Sequence, residues 1–189
     1  MNADLLVYQA KAFYNAYIAL DQLSRDDSDT LLLLFAPLVV NGAFSVELAL
    51  KAILAKNQIE YGKEHNLLIL FQMLPKSFQQ ELWAYLIEKA PEYAGSKKGL
   101  DELILLSNAF VDWRYAFEGK PVPAIESRFL AAFANAAVYT MFSYYNADLL
   151  PATKTESNNE IEQRFHENRE KCKEINLKMI QKKTKEHQL

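Results

Sequence analysis

The residues best suited to chemistry in this chain are three titratable side chains between positions 47 and 65. Glu47 and Lys51 lie four residues apart in an otherwise apolar segment, and His65 follows a turn that contains Gly62. On a helix this spacing puts Glu47 and Lys51 on one stripe, in the favourable glutamate-before-lysine order. Because the stripe is otherwise apolar, we expect both charges to be partly buried. Losing one partner of a buried pair costs roughly 3–5 kcal/mol, so the pair must be satisfied, and a third group is expected to complete it.

The segment NAFVDWRYAFEG, residues 108–119, offers that third group. Arg114 shares a helical stripe with apolar positions and with Glu118, and its planar guanidinium can pair with Glu47 or Glu118 through two hydrogen bonds. The pattern fits a structural salt-bridge network that joins two core helices, a partly open pocket that holds a phosphate or carboxylate, or an interface. The candidate pocket residues are Glu47, Lys51, His65, Asp112, Arg114, Tyr115 and Glu118.

His65 is the candidate for acid–base chemistry, because it is the only histidine in residues 1–150. A histidine near an arginine and a carboxylate is what acid–base cleavage would use. The simpler interpretation is a residue that caps or contacts the turn at the start of a helix. Glycine-rich phosphate loops, a serine elbow and paired-carboxylate metal motifs are absent from the sequence. One cysteine and three scattered histidines predict no disulfide and no metal site, and we expect no cofactor.

The elements that carry these residues are predicted to be helices. Apolar residues recur at helical spacing, and the second segment is apolar on all sides, as is typical of a central helix. Five glycines and six prolines are few for an all-β chain. We predict an all-α, up-and-down antiparallel helix bundle with extra short helices. The expected helices cover residues 4–24, 30–57, 66–74, 77–90 with a Ser77–Gln80 capping box, 100–118, and 124–148 with Pro123 in the first turn.

Charge and hydropathy narrow the classes of partner. The net charge is −3. Neither residues 1–150 nor residues 151–189 have the strong basic excess that broad binding to a phosphate backbone needs. The apolar run at residues 30–46 is interrupted by Pro37 and followed by Glu47, so it predicts a buried helix and not a membrane span. The first residues lack the basic region of a signal peptide, and the single cysteine suits a reducing compartment. These features predict a cytoplasmic location.

The composition changes after Pro151. Residues 152–160 are polar, as in a linker, and residues 161–186 are highly charged but carry a seam at 4-3-4-3-4 spacing, interrupted by Asn168. We predict a bundle over residues 1–150, followed by a linker and a charged amphipathic C-terminal helix over residues 151–189. That helix packs on its own bundle, contacts a second subunit or partner, or is disordered. The interface candidates are Ile161, Phe165, Cys172, Ile175 and Met179.

VELALKAILAKNQIEYGKEHNLLILFQMLP, followed later by FVDWRYAFEG, resembles the HEPN superfamily of small helical bundles. The resemblance covers about residues 5–148. It implies an antiparallel bundle that is frequently dimeric, and a link to RNA or nucleotide biology such as prokaryotic toxin–antitoxin pairs and phage defence. The matching residues are Glu47, Leu50, Lys51, Leu54, Gly62, His65, Leu67, Arg114 and Tyr115.

The active ribonucleases of that superfamily carry an arginine followed four to six residues later by a histidine. Here Arg114 is followed by YAFEGKPVPA, which contains no histidine. The first hypothesis is therefore a non-catalytic binding or regulatory module, a homodimer with an RNA, nucleotide or protein partner. The second is a divergent metal-independent ribonuclease that uses Arg114, His65 and either Glu47 or Glu118. The third is a structural subunit of a larger assembly, held through the seam at residues 161–179.

Overall fold

A computed structural model of the chain describes residues 3–25, 28–94, 97–115 and 123–145. Within these ranges the chain forms seven α-helices and one short 3₁₀ helix, and no β-strand. The prediction of an all-α helix bundle is confirmed. The α-helices are α1 Ala3–Ser24, α2 Ser28–Lys56, α3 Leu67–Met73, α4 Lys76–Lys89, α5 Lys97–Leu106, α6 Ala109–Arg114 and α7 Ser127–Tyr145, and the 3₁₀ helix is Pro91–Tyr93.

Helix α2 is the centre of the bundle, as its all-round apolar pattern predicts. It packs against α1, α7, α6 and α3. Gly42 is buried where these helices meet, and an added Cβ would lie 3.0 Å from the Tyr17 ring and 3.1 Å from the Leu130 side chain. The glycine therefore lets α1 and α7 approach α2 closely. Pro37 does not end the helix, and the Asn41 amide donates to the Pro37 carbonyl at 2.7 Å.

One stretch of α2, Leu33–Lys56, is long and apolar enough to cross a membrane by length and composition, among the residues that the structure describes. More than half of its most apolar window is buried inside the protein. The stretch also contains Glu47 and Lys51, both buried and paired with each other. A core helix of a soluble bundle passes the same test, and the burial fits that interpretation.

Three predicted helix boundaries are wrong. Helix α4 begins at Lys76 after an N-cap at Pro75, so Ser77 lies inside it and forms no capping box. The Gln79 amide instead donates to the carbonyls of Gln72 and Leu74 at 3.1 and 2.8 Å, so it joins α4 to the end of α3. The predicted helix over 124–148 begins only at Ser127 and is described as far as Tyr145, so Pro123 precedes its first turn.

The third difference is a break in the predicted helix over residues 100–118. The chain forms α5 and α6 there, separated at Ser107 and Asn108. The Ser107 carbonyl accepts a hydrogen bond from Leu67 N at 2.8 Å, and the Asn108 side chain accepts one from the Asn66 amide at 3.0 Å. The break thus joins the start of α3 to the start of α6, and it sets the direction in which α6 carries Arg114.

Several predictions lie outside the described residues. They concern the pocket candidate Glu118, the domain boundary near residue 150 and the C-terminal helix. The same holds for the interface candidates Ile161, Phe165, Cys172, Ile175 and Met179.

Candidate functional site

Glu47 and Lys51 form an ion pair inside the bundle. Lys51 Nζ lies 2.7 Å from Glu47 Oε1, and the two side chains are only 10% and 1% exposed. Their i,i+4 spacing on α2 aligns them on one stripe, and the neighbouring apolar positions exclude water. Charges this deeply buried interact more strongly than a surface pair, but each depends on the other for compensation.

His65 is the second partner of the same carboxylate. Its Nδ1 lies 2.9 Å from Glu47 Oε1, and its side chain is 51% exposed. Because a carboxylate oxygen only accepts hydrogen bonds, Nδ1 is the ring nitrogen that carries the proton in this contact, and Nε2 is left for other partners. Glu47 Oε2 is buried and has no hydrogen-bond partner among the described residues. We call Glu47, Lys51 and His65 the buried triad, after the buried Glu47–Lys51 pair that His65 joins from the surface.

Tyr61 closes the lysine side of the triad. Lys51 Nζ lies 5.4 Å from the centre of the Tyr61 ring, within the range of a cation–π contact. Burial, followed by the nearby Glu47 charge, raises the pKa of the Tyr61 phenol. The chain reaches this position through a turn with positive φ at Gln58 and Gly62, 58° and 55°. Glycine adopts that conformation without strain.

The loop before α3 holds His65 in place. The Glu64 carboxylate accepts hydrogen bonds from the backbone N–H groups of His65 and Asn66, at 2.9 and 2.7 Å. Asn66 then caps α3, because its side-chain oxygen accepts from Ile69 N at 3.0 Å. Asn66, and not His65, is therefore the helix cap. The His65 side chain is turned back to Glu47 instead.

Arg114 does not complete the Glu47–Lys51 pair, and this corrects the prediction. Its guanidinium lies over the rings of Phe110 and Tyr115, 4.9 and 4.6 Å from their centres, and donates to the Tyr115 hydroxyl at 2.8 Å. Arg114 is exposed and makes no ion pair among the described residues. We call Phe110, Arg114 and Tyr115 the arginine stack. Asp112 lies half-buried on the same helix.

His65 and Arg114 are associated with opposite ends of α6. His65 is next to Asn66, which bonds Asn108 at the start of α6, whereas Arg114 is the last residue of that helix. Six residues of helix span about 9 Å. The structure thus brings Glu47, Lys51 and His65 together, and it brings Arg114 and Tyr115 together, as two separate groups.

Two contributions at the site were not predicted from the sequence. Phe110 anchors the arginine stack to the core, because its ring stacks on that of Phe44 at 4.2 Å with the planes 14° apart. Tyr61 contacts Lys51 as described above. The i,i+4 spacing of Phe110 and Arg114 is a signal that could have indicated the stack. No comparable signal pointed to Tyr61. No cluster of three or more potential metal ligands occurs in the part of the chain that the structure describes.

The described residues define a class of protein, an all-α bundle. Its central helix carries a buried glutamate and lysine, the following loop carries a histidine, and a later helix carries an exposed arginine. Residues 39–128 match the family model of the HEPN domain. The match spans the buried triad and the arginine stack, and it supports membership of the HEPN superfamily. Neither the comparison with curated proteins nor the comparison with solved structures found a match. The match is shorter than the expected span of 5–148, since it leaves out α1 and nearly all of α7.

Proposed function

We propose that this chain is a non-catalytic HEPN module that binds RNA or a nucleotide through the arginine stack. In this proposal it acts in the cytoplasm as a homodimer, in a regulatory role of the toxin–antitoxin or phage-defence type. The observation that carries the proposal is the position of Arg114, which is exposed, lies over two aromatic rings and makes no hydrogen bond or ion pair with the buried triad among the described residues.

The arginine stack has the chemistry of a phosphate and base contact. Arg114 makes no ion pair among the described residues, so its guanidinium keeps its charge and its remaining N–H donors for a phosphate. Tyr115 is 39% exposed, so part of its ring can contact a base. Stacking of a base on an aromatic ring contributes roughly 1–3 kcal/mol and tolerates different sequences. The net charge of −3 argues for a local contact and against a broad phosphate-binding face.

The buried triad supports a structural role for Glu47, Lys51 and His65. The only histidine among the described residues is held by a carboxylate that is itself paired with a lysine. Acid–base cleavage needs the histidine and the arginine to act on one phosphate within hydrogen-bond reach. Their association with opposite ends of α6 disfavours that arrangement.

One observation favours the alternative, a divergent metal-independent ribonuclease. His65 is half-exposed, and a buried carboxylate orients its ring, which is the arrangement that positions a general base. In this reading Nε2 faces the substrate and Arg114 contacts a neighbouring phosphate. The alternative therefore requires one RNA strand to reach both groups at once.

Binding and cleavage can be separated with two variants and one control. Full-length protein would be titrated onto a fluorescent single-stranded RNA of mixed sequence, in chelator and at several salt concentrations. Arg114→Ala should weaken binding and lower the slope of log affinity against log salt by about 0.7, the value for one phosphate on a single strand. Arg25→Ala is the matched control, since Arg25 is exposed directly after α1 and already paired with Asp21. Equal effects of the two substitutions would contradict the proposal.

The same preparations would be incubated with end-labelled total RNA in chelator. We expect no cleavage by the parent protein. Cleavage that both His65→Ala and Arg114→Ala abolish would establish the ribonuclease alternative instead. Light scattering on the full-length chain tests the homodimer, which predicts about twice the chain mass of 21.7 kDa. A mass of one chain under binding conditions would refute that part of the proposal.

A further inference from the structure

A second site lies on another part of the bundle, in a cleft between α4 and α5. The cleft measures about 480 Å³, and its lining is almost entirely apolar. We propose that it binds a small amphiphilic carboxylate, with an extended hydrocarbon chain along the apolar floor and the carboxylate at one end. The volume falls within the range of roughly 300–1,000 Å³ that is typical of small-molecule sites, which combine an apolar lining with few polar groups.

The floor of the cleft is built around Trp83. Gly99 of α5 is buried against this indole, and an added Cβ would lie only 2.9 Å from its Cζ2 atom. The glycine thus lets α5 pack tightly on Trp83 and holds the indole in the floor. Ile87 and Leu103 extend the apolar lining, and Leu100 is 46% exposed in this structure. An exposed large apolar residue beside a concave apolar surface is typical of a ligand-binding groove.

The polar end of the cleft selects an anion. Lys76 is the only charged residue that lines the cleft in the described part of the chain. Within the described part of the chain its ammonium group contacts the neutral Gln79 amide oxygen, at 3.3 Å, and no acidic side chain. Gln80 lines the same end and is exposed. A carboxylate placed here would gain a cation and an amide donor without displacing an existing ion pair.

The length of the cleft sets the length of the chain that it accepts. Lys76 and Ile87 both line it and are eleven residues apart on α4, which corresponds to about 16 Å. An extended hydrocarbon chain advances about 1.25 Å per bond, from bonds of ~1.5 Å at angles of ~111°. A carboxylate of about twelve carbons therefore spans the cleft from its cationic end to Ile87.

The test uses Trp83 as the reporter. The measured signal is tryptophan fluorescence, and the chain has two tryptophans. The Trp113 indole N–H is buried without a hydrogen-bond partner among the described residues, so Trp113→Phe removes the second fluorescence signal without breaking a known hydrogen bond. Full-length protein with this substitution would be titrated with dodecanoate, decanoate and dodecyltrimethylammonium, each below its micelle concentration. We expect saturable one-to-one binding of dodecanoate, weaker binding of decanoate by about two- to fourfold per methylene, and weaker binding of the cation.

Three further substitutions locate the site. Lys76→Gln should weaken dodecanoate binding by about three- to fivefold, as expected for a partly exposed ion pair, and Lys97→Gln, an exposed lysine outside the cleft, should leave it unchanged. Ala84→Trp fills the cleft from an exposed position and should abolish binding without lowering thermal stability. Unsaturable binding, equal affinity for the cation, equal effects of the two lysine substitutions, or full binding by Ala84→Trp would each overturn the proposal.

Discussion

Removal of one member of the Glu47–Lys51 pair should destabilise the fold far more than removal of both. Lys51→Met keeps most of the side-chain volume but leaves a carboxylate that is 1% exposed without its cation. Glu47→Leu leaves a nearly buried ammonium group without its anion. An uncompensated buried charge costs roughly 3–5 kcal/mol, a large part of the 5–15 kcal/mol that holds a typical domain together. The double variant removes both charges, and we expect it to lie within about 1 kcal/mol of the parent.

Urea unfolding followed by circular dichroism measures these free energies, and the four proteins form a double-mutant cycle. Lys97→Met serves as the control for loss of an exposed lysine. The expected coupling energy is about 5–9 kcal/mol, the sum of the two single losses minus the loss of the double variant, because each single variant leaves one charge buried. Single losses below about 1 kcal/mol, or a double variant whose loss equals the sum of the two, would refute the conclusion that the pair is desolvated and mutually dependent.

Three further perturbations test the packing around the site. Gly42→Ala puts a Cβ about 3.0 Å from Tyr17, so overpacking should lower the free energy of unfolding by about 1–3 kcal/mol. An unchanged midpoint of unfolding in urea would contradict this close approach. Asn66→Ala removes the cap of α3 and the bond to Asn108, and calorimetry should show a loss of about 1–2 kcal/mol. Burial raises the pKa of Tyr145 to about 12, so the stability tied to its neutral phenol is present below about pH 10 and is lost as the pH rises through 12. Between pH 10 and 12 the free energy of unfolding of Tyr145→Phe should therefore fall by about 2–3 kcal/mol less than that of the parent. If the two free energies fell in parallel with pH, this linkage would be excluded.

The helices and the buried pair could be predicted from the sequence because both depend on local periodicity. Spacing along a helix places Glu47 and Lys51 on one stripe whatever the tertiary fold. The apolar surroundings then indicate that the pair is buried, and the structure shows both side chains almost fully enclosed. The contact between His65 and Glu47 depends instead on the path of the turn between α2 and α3. Positive φ angles at Gln58 and Gly62 determine that path, and no periodic pattern reports them.

The partner of Arg114 was predicted incorrectly for a related reason. A continuous helix over residues 100–118 gives Arg114 one direction, but the break at Ser107 and Asn108 starts a new helix with its own axis. Neither glycine nor proline marks this break. Serine and asparagine signal it only weakly, since their side chains compete with the helix for backbone hydrogen bonds. The Ser107 hydroxyl makes such a bond, donating to the Ile104 carbonyl at 2.6 Å.

The buried triad and the arginine stack are connected through Asn66 and Asn108, although they share no direct side-chain contact in the described residues. Glu47 holds His65, the next residue Asn66 caps α3 and bonds Asn108, and α6 then runs from this point to Arg114. The Phe44–Phe110 stack fixes the first turn of the same helix against α2, one turn before Glu47. A substitution at Glu47 should therefore alter how Arg114 is presented without touching a ligand. Under the proposed function, this path couples the structural triad to the arginine that binds the ligand.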